Sequence, residues 1–318
     1  MPTQPPVRIG ARGSKLSRAQ AGQMQRLIAQ ALGAPPEAAD EVAPLTIITT
    51  SGDRIQDRRL LEIGGKGLFT KEIEEALLEG RIDCAIHSLK DVPALVPDGL
   101  CIAAIPQRED VRDAFISHVA AGVDDLPRGA RLGTASLRRQ AQALHRRPDL
   151  DVVMLRGNVD TRLAKLEAGE ADAILLAAAG LNRLGLGHLA TGLLDPLDCP
   201  PAPGQGALAI QTRTADHGAA WLEALRHAPT AVAVAAERGA LAALEGSCRT
   251  AIGAYGRLDG GRLKLVVEAL SPDGRHRFRH LGEADLAEGD PQAIARALGE
   301  SLGEAVKRDA GDDISFSD

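Results

Sequence analysis

Short apolar runs alternate with stretches of helical periodicity along the first two thirds of the chain. Apolar runs bounded by turn residues predict strands, and apolar residues spaced three and four apart predict amphipathic helices. The strands are predicted at 7–9, 45–50, 82–88, 100–105, 114–117, 152–155 and 173–176, and the helices at 18–32, 70–79, 137–145 and 159–167. This alternation indicates an α/β fold with mainly parallel sheets, which bind ligands at the carboxyl ends of their strands.

The last third of the chain has a different pattern, in which strands follow one another between two helices. We predict a helix at 231–244, strands at 251–258, 262–270 and 275–281, and a final helix at 292–307. Two proline-bearing stretches, 105–110 and 195–203, bracket a block of domain size. The predicted domains are therefore 1–105 with 204–224, then 106–203, and a small α+β domain at 225–318.

Composition excludes several classes of function. The chain has 318 residues, a formal net charge of −6 and 2% aromatic residues, so nucleic acid is not an expected partner. No apolar stretch approaches the ~20 residues of a membrane span, and the first residues lack the features of a secretory signal. The cysteines Cys84, Cys101, Cys199 and Cys248 lack metal-ligand spacing. We therefore expect a cytoplasmic protein without a metal site or membrane contact.

Basic residues occur at four turns that join a predicted strand to a helix. The turns are 10–15, 64–67, 133–139 and 156–158. Cations are unfavourable at a helix N-terminus, whereas the N–H groups there attract anions, so this repetition indicates a purpose other than folding. Arginine also predominates over lysine, and its planar guanidinium matches carboxylate or phosphate oxygens. The sequence therefore predicts a multiply anionic ligand, although a single arginine is more often an ordinary surface residue.

The predicted strand at 82–88 leads into a segment that is dense in reactive side chains. His87, Ser88, Lys90 and Asp91 precede an extended turn at Pro93. Asp91 has two interpretations, a catalytic carboxylate or one paired with a nearby cation, and a hydrogen-bonded core histidine is the favoured interpretation of His87. Ser88 and His87 face opposite ways on a strand, so they do not form a hydrolase pair.

Six motifs of the chain resemble, in this order, those of the porphobilinogen deaminase (hydroxymethylbilane synthase) family. They are GGKGLF at 64–69, HSLKDVP at 87–93, GTASLRRQ at 133–140, LRGNV at 155–159, PGQG at 203–206 and LEGSC at 244–248. The resemblance extends over nearly the whole chain. It implies two periplasmic-binding-protein-like (type II) domains joined by a hinge, and a small α+β C-terminal domain that presents a cysteine on a loop.

The resemblance also implies a reaction. The enzyme would be a transferase that joins four porphobilinogen molecules head to tail, with loss of ammonia, into a linear tetrapyrrole. The growing chain would be attached to a dipyrromethane cofactor, held through a thioether by Cys248, and the enzyme would act as a monomer. Asp91 is the catalytic candidate, because a fixed carboxylate would stabilise the positive charge that develops as ammonia leaves.

Two binding roles follow from the same resemblance. Besides Cys248, the expected cofactor-binding residues are Asp53, Ser88, Lys90, Thr134, Ser136, Arg138, Arg139 and Gln205. The expected substrate-binding residues are Arg12, Ser14, Lys66, Phe69, Arg156, Arg162 and Arg183. The arginines would bind the acetate and propionate groups of the rings. Since Arg138 and Arg139 lie in the first turn of a predicted helix, their replacement is expected to impair cofactor assembly while stability holds or rises slightly.

Other interpretations of these residues stay open at this level. The hydroxyls of Ser14, Thr134 and Ser136 are suited to capping helices, Phe69 to packing in a core, and a cysteine such as Cys248 to burial.

Two positions depart from the family pattern. Glu62 stands where many relatives have lysine, and Ser17-Arg18 replaces a more apolar pair. The rival function is a two-domain solute receptor or sensor without chemistry, since fold does not fix function. Neither a signal peptide nor a helix-turn-helix pattern is visible in support of it.

Overall fold

The computed structural model describes residues 5–54, 69–244 and 250–316. The strands are β1 (Ile9–Ala11), β2 (Leu45–Ile47), β3 (Cys84–Ser88), β4 (Leu100–Ala104), β5 (Asp113–Ser117), β6 (Arg131–Gly133), β7 (Asp151–Val153), β8 (Ala173–Ala177), β9 (Gly192–Leu193), β10 (Leu208–Arg213), β11 (Ala251–Asp259), β12 (Arg262–Leu270) and β13 (Arg277–Asp285). The α-helices are α1 (Lys15–Ala31), α2 (Ala39–Val42), α3 (Ser51–Arg54), α4 (Lys71–Leu78), α5 (Leu137–Arg146), α6 (Val159–Glu167), α7 (Ala178–Arg183), α8 (Ala220–Glu223), α9 (Ala228–Ala243) and α10 (Pro291–Ala310).

Tertiary contacts divide the chain into two units. The first unit contains the described residues up to 54, then 69–109 and 207–231. The second unit contains 110–206, 232–244 and 250–316. The predicted boundaries of three domains stay a prediction.

The first unit is built on a five-stranded sheet in the order β2-β1-β3-β10-β4. β1 pairs in parallel with β2 and β3, whereas β10 pairs antiparallel with β3 and β4. Helix α1 packs on the core of this sheet through Ala21, Met24 and Ile28, which recur at the spacing of one helical face. The carboxyl end of β1 carries Arg12 and Ser14, and that of β3 leads to Lys90 and Asp91.

The second unit repeats this strand order in the sheet β7-β6-β8-β5-β9. β6 pairs in parallel with β7 and β8, and β5 pairs antiparallel with β8 and β9. In each sheet the antiparallel strand follows a point where the chain passes from the other unit, between 109 and 110 for β5 and between 206 and 207 for β10. Two α/β sheets of one topology, joined by two crossings, agree with the fold class that the family resemblance implies.

A three-stranded antiparallel sheet, β11-β12-β13, lies at the C-terminal end of the second unit. It shares a hydrophobic core with α9 and α10, which includes Ala236, Val267 and Val306. The two helices pack closely at Gly299, where a Cβ would overlap the carbonyl oxygen of Ala236. This small α+β region confirms the predicted change of pattern in the last third of the chain.

The prediction of mainly parallel sheets is wrong. Within the described residues each five-stranded sheet has two parallel and two antiparallel pairings, because β10 and β5 enter in the opposite direction. The strands β6, β9 and β10 are absent from the predicted strands, and β1 begins two residues later than expected. β6 has only three residues, one of them charged, so it lacks the apolar run that marks a strand.

Candidate active site

The turn between β1 and α1 places Arg12 at the carboxyl end of a buried strand. The Ser14 hydroxyl caps α1 by accepting a hydrogen bond from the backbone N–H of Ser17 (3.2 Å). The Ser17 hydroxyl in turn accepts a hydrogen bond from the backbone N–H of Arg12 (3.1 Å). Ser14 therefore has the capping role that was one of its two interpretations. Ser17, a departure from the family pattern, fixes the backbone of Arg12.

Phe69 supports the Arg12 side chain. The guanidinium carbon of Arg12 lies 4.2 Å from the centroid of the half-buried Phe69 ring. A cation–π contact of this kind positions the guanidinium and leaves its charge in place. The expected contact of both residues with substrate stays a prediction.

The segment that follows β3 is held firmly at its backbone. β3 ends at Ser88 and leads into a 3-10 turn, Leu89–Asp91. The Leu89 N–H donates to the carbonyl of Ala207 (3.0 Å), and the Ser88 hydroxyl accepts a hydrogen bond from Gln20 Nε2 (2.8 Å). The turn that carries Asp91 is thereby anchored to its own sheet and to α1.

Asp91 itself is exposed, and among the described residues its carboxylate has neither a hydrogen-bond partner nor an ion-pair partner. The interpretation of Asp91 as a paired carboxylate therefore finds no support in these ranges. The neighbouring Lys90 is half-buried and takes part in an interaction of its own. A carboxylate with a fixed backbone and an unpaired charge is suited to stabilising a cation brought by a substrate.

His87 is a buried, hydrogen-bonded histidine, as the favoured interpretation predicted. Its Nε2 lies 2.9 Å from Oε1 of Gln211, whose Nε2 donates to Oε1 of Glu74 (3.1 Å). The amide of Gln211 thus assigns the ring proton to Nε2 of His87. Burial lowers the pKa of His87 to about 4, against the raising effect of the Gln211 hydrogen bond, and the charge of Arg12 lowers it further.

We expect His87 to make stability fall with acidification. An unfolded histidine has a pKa of about 6.5, so between that value and about 4 the unfolded chain binds a proton that the native state does not. The contribution of His87 to the free energy of unfolding is therefore fully present above about pH 6.5. It falls by on the order of 2 kcal/mol between about pH 7 and about pH 5. Urea unfolding at the two pH values should show a weaker dependence for His87→Asn than for the parent protein.

The matched control is His118→Asn, which removes an exposed histidine from the second unit. Its unfolding should keep the pH dependence of the parent protein. An equal slope for the parent and His87→Asn would contradict the prediction.

In the second unit, Thr134 and Ser136 order the turn between β6 and α5. The Thr134 hydroxyl accepts a hydrogen bond from the Ser136 N–H (3.1 Å). Ser136 caps α5, since its hydroxyl faces the N–H of Arg139 at 3.5 Å. Helix capping is thus the role that the geometry gives Ser136. Carboxylate binding by either hydroxyl stays a prediction.

Arg138 and Arg139, in the first turn of α5, are buried and share one carboxylate. Nη1 of Arg138 lies 2.7 Å from Oδ2 of Asp113, and Nη2 of Arg139 lies 2.8 Å from Oδ1 of the same residue. Burial alone would raise the pKa of Asp113, but the two guanidinium charges and their hydrogen bonds hold it well below its ordinary value. Asp113 is therefore a carboxylate at any ordinary pH.

This geometry changes the expectation for stability. The two arginines were expected to be dispensable for folding, because cations are unfavourable in the first turn of a helix. Removing one of them instead breaks a buried ion pair, which costs far more than the helix dipole returns. Their contact with cofactor stays a prediction, and the buried Nε of Arg138 has no hydrogen-bond partner within the described ranges.

Gln205 belongs to the same buried group. Its Nε2 donates to the carbonyl of Val111 (2.8 Å) and to Oδ1 of Asp113 (2.9 Å). The flanking Gly204 and Gly206 have positive φ angles of 76° and 86°, which a side chain would strain. The PGQG motif is thus a tight turn that delivers an amide to Asp113, and a direct contact of Gln205 with cofactor stays a prediction.

Arg156 and Arg162 form a second basic group near Arg139. Nε of Arg162 donates to the carbonyl of Gly157 (2.9 Å), and the buried Nη1 of Arg156 has no hydrogen-bond partner in the part of the chain that the structure describes. Burial, then the like charges of Arg139 and Arg156, lower the pKa of Arg162 to about 10. Unlike Arg138 and Arg139, neither residue is paired with a carboxylate in those ranges. The group therefore favours an anion.

The remaining predicted residues divide into two sets. Nη2 of Arg183, in α7, donates to the carbonyl of Gly206 (2.8 Å), and the residue has a further interaction. Asp53 lies in the short helix α3, but its side chain is outside the described part of the structure, and Lys66, Glu62 and Cys248 are outside the described residues altogether. Their predicted roles therefore stay predictions.

Sequence reasoning missed Asp113. This residue opens a strand of apolar residues, and a carboxylate at such a position has no local signal that separates a buried partner of arginine from a solvated strand end. A hint was present in the paired cations of Arg138 and Arg139, which need a counter-charge if they are buried. The carboxylate that meets this need lies far away in the sequence.

Two α/β sheets of one topology, together with guanidiniums that have no carboxylate partners in the described residues, are typical of a protein that binds a polyanionic small molecule. The family model "Porphobilinogen deaminase, dipyromethane cofactor binding domain" matches residues 7–220, and "Porphobilinogen deaminase, C-terminal domain" matches residues 231–307. Curated porphobilinogen deaminases of Phenylobacterium zucineum (strain HLK1) and Caulobacter vibrioides (strain NA1000 / CB15N) are each 70% identical over 318 residues, 99% of both chains. The chain belongs to the porphobilinogen deaminase family, as the motifs predicted.

Solved structures show a more distant likeness. A putative methionine-binding lipoprotein of Bacillus subtilis is 13% identical with a TM-score of 0.41, over 69% of this chain and 87% of that one. A periplasmic substrate-binding protein of an ABC transporter from Coxiella burnetii is 14% identical with a TM-score of 0.42, over 73% and 96%. In the described ranges of the present chain, no helix is long and apolar enough to cross a membrane.

Proposed function

We propose that this protein is a transferase that joins four porphobilinogen molecules head to tail, with release of ammonia, into the linear tetrapyrrole hydroxymethylbilane. The observation that carries the proposal is the group of guanidiniums at Arg156 and Arg162, which have no carboxylate partners in the described residues. Each porphobilinogen brings an acetate and a propionate, so the product is a chain of carboxylates. Forked arginine donors are suited to bind such groups.

A dipyrromethane cofactor fits the donors of the second unit. The buried Nε of Arg138 and Nη1 of Arg156 have no hydrogen-bond partners in the described residues, and a buried donor is costly unless a ligand satisfies it. Arg138, Arg139, Thr134 and Ser136 would hold the acidic side chains of the cofactor. When bound, the cofactor supplies the pyrrole α-carbon to which the first substrate is added.

Asp91 would stabilise the charge that develops on the substrate. As the C–N bond of the aminomethyl group breaks and its nitrogen leaves as ammonia, the methylene stays on the ring, and the positive charge of the resulting methylene-pyrrolenine is shared with the pyrrole nitrogen. A carboxylate with a fixed backbone lowers the energy of this charge because it needs no reorganisation at the moment of reaction. The anchored turn that follows β3 gives Asp91 this property.

Cys248 is the expected attachment point, and two of the other cysteines, Cys84 and Cys199, are less suited to this role. Burial raises the pKa of the Cys84 thiol, and burial together with the charge of Glu268 raises that of Cys199. A raised pKa depletes the thiolate, which is the nucleophilic form. Cys101 is half-buried, with its Sγ 3.8 Å from Oγ1 of Thr212.

We expect one covalent pyrrole adduct on the purified protein, located at Cys248. Intact-protein mass followed by peptide mapping measures both the adduct and its position. Cys248→Ser should lack the adduct and all turnover, whereas the control Cys101→Ser should keep both. An adduct on Cys84, Cys101 or Cys199, or an active protein without any adduct, would contradict the assignment. A solute-binding protein without chemistry would carry no adduct at all.

We expect Arg156→Gln to slow chain growth at a particular ring number. A hydrogen bond to a charged group contributes about 1.5–3 kcal/mol, so the slowed step should lose about 10- to 160-fold in rate. Native mass spectra of enzyme-bound intermediates should show accumulation of one species. Because Nη1 of Arg156 has no partner among the described residues, folding stability should hold.

The control for this experiment is Arg128→Gln, which changes an exposed arginine of the same unit. It should leave the distribution of intermediates as in the parent protein. If Arg156→Gln gave that same distribution at parental turnover, Arg156 would have no role in elongation.

We further propose that the protein acts in the cytoplasm as a monomer. Light scattering of the holoprotein measures its oligomeric state.

A further inference from the structure

Asp113 is the first residue of β5, and its side chain is completely buried. Its Oδ2 accepts a hydrogen bond from Nη1 of Arg138 (2.7 Å). Its Oδ1 accepts from Nε and Nη2 of Arg139 (3.0 and 2.8 Å) and from Nε2 of Gln205 (2.9 Å). One carboxylate thus accepts four hydrogen bonds. It holds one guanidinium at each of its two oxygens.

This arrangement is more than a neutral ion pair. Two guanidiniums share one carboxylate, so the group retains one positive charge in a buried place. Further acceptors complete the orientation: Nη1 of Arg138 donates to Oε1 of Gln142 (2.9 Å), and Nη1 of Arg139 donates to the carbonyl of Leu175 (3.1 Å). The long arginine side chains therefore have little rotational freedom while Asp113 is charged.

The Asp113 group is also connected to the second basic group. The charge of Arg139 contributes, with that of Arg156, to lowering the pKa of Arg162. Asp113 is the carboxylate that pairs with arginines of this set in the described part of the chain. Without it, the like charges of Arg138 and Arg139 would repel each other at close range in a medium of low dielectric constant.

We propose that Asp113 is a positioning residue for cofactor binding: it holds the guanidiniums of Arg138 and Arg139 in the one orientation that receives the carboxylates of the dipyrromethane. This inference rests on the proposed function. The direction in which anion binding changes when Asp113 is neutralised distinguishes an effect of orientation from an effect of net charge. If the sum of charges decided affinity, neutralising Asp113 would strengthen the binding of an anion. If orientation decides it, neutralising Asp113 weakens that binding.

The test compares Asp113→Asn with Asp83→Asn. Asp83 is a matched control because its carboxylate is also shared by two arginines, with Nη2 of Arg8 at 2.8 Å and Nη2 of Arg213 at 3.2 Å, but lies in the first unit. Both variants neutralise a carboxylate that two arginines share, so both should melt at lower temperature than the parent. Each is assayed well below its own melting temperature, with intact-protein mass for the fraction that carries the pyrrole adduct and porphobilinogen kinetics for KM and kcat.

We expect Asp113→Asn to reduce the fraction with adduct at least tenfold, and Asp83→Asn to keep it within about threefold of the parent. In the Asp113→Asn molecules that do carry the adduct, KM for porphobilinogen should rise more than kcat falls. An equal loss in both variants, in step with their melting temperatures, would show that Asp113 only stabilises the fold. Greater loading or a lower KM in Asp113→Asn would show that charge alone decides binding. Either result overturns the proposal.

A double variant covers the case in which Asp113→Asn does not fold. Asp113→Asn with Arg139→Gln removes one charge of each sign, so it avoids the extra unpaired guanidinium of the single change. If Asp113 acts through Arg139, the double variant should load cofactor within about threefold of Arg139→Gln alone, because the two changes then affect one interaction. A further loss of tenfold or more relative to Arg139→Gln would overturn the proposal. Absence of the adduct from the parent protein would instead overturn the proposed function, and the positioning role with it.

Discussion

Replacing Asp91 by Asn should lower kcat for porphobilinogen about 100- to 1000-fold, on the order of 2.7–4 kcal/mol in the activation free energy. Asn keeps the shape of the side chain and removes its charge. Positive charge exists only along the reaction path, so the carboxylate stabilises the transition state more than the ground state. KM and cofactor content should therefore change little. The turn that carries Asp91 is held through the backbone of Leu89, so the substitution leaves its anchoring intact.

Steady-state kinetics on protein with confirmed cofactor content measure this effect. The control is Asp98→Asn, which neutralises another exposed aspartate of the first unit, between the Asp91 turn and β4. It should retain parental kcat. If Asp91→Asn turned over porphobilinogen within a few-fold of the parent, the electrostatic role assigned to Asp91 would be wrong. The neighbouring Lys90 would then be the next candidate.

Replacing Arg139 by Leu should destabilise the protein by about 3–5 kcal/mol, because it breaks a buried ion pair and three hydrogen bonds to Asp113 and Leu175. The carboxylate of Asp113 would keep its hydrogen bonds from Arg138 and Gln205 but would lose one of its two guanidinium partners. Cofactor loading should fall in the same variant. Urea unfolding gives the change in stability, and intact-protein mass gives the loading.

Arg146→Leu is the matched control, since Arg146 lies in the last turn of the same helix and pairs with the exposed Asp124. A surface pair of this kind contributes at most about 1 kcal/mol. Equal losses of stability in the two variants would mean that burial of the Arg139 pair adds nothing. Parental stability of Arg139→Leu with a loss of cofactor would restore the view that Arg139 serves binding alone.

The features that sequence predicts well are local ones. The helix Val159–Glu167 has the same bounds in the structure as in the prediction. Its Asn158 cap and the spacing of its apolar residues both depend on residues that are close together in the sequence. The buried state of His87 was also predicted, since it lies within a continuous apolar strand. Ser14 and Ser136 cap their helices for the same reason: a hydroxyl that precedes a helix finds its partner within three residues.

The features that sequence did not predict depend on distant partners. Asp113 lies 25 residues from Arg138 and 92 residues from Gln205, and the hydrogen bond between Gln142 and Glu268 spans 126 residues. The antiparallel strands β5 and β10 likewise depend on where the chain re-enters a sheet, which their own residues do not encode. Hydrophobic periodicity reports which face of an element is buried, but not which element covers it.

The sequence by itself thus determined the family, the order of most helices and strands, and the residue types that suit a polycarboxylate ligand, because each of these is contained in short motifs. Only the tertiary structure decided that Arg138 and Arg139 are buried against Asp113, whereas Arg156 and Arg162 have no carboxylate partners in the described residues. The physical reason is that a guanidinium has the same local signature whether it is neutralised or not. Its role depends on the charges that folding brings within a few ångströms of it.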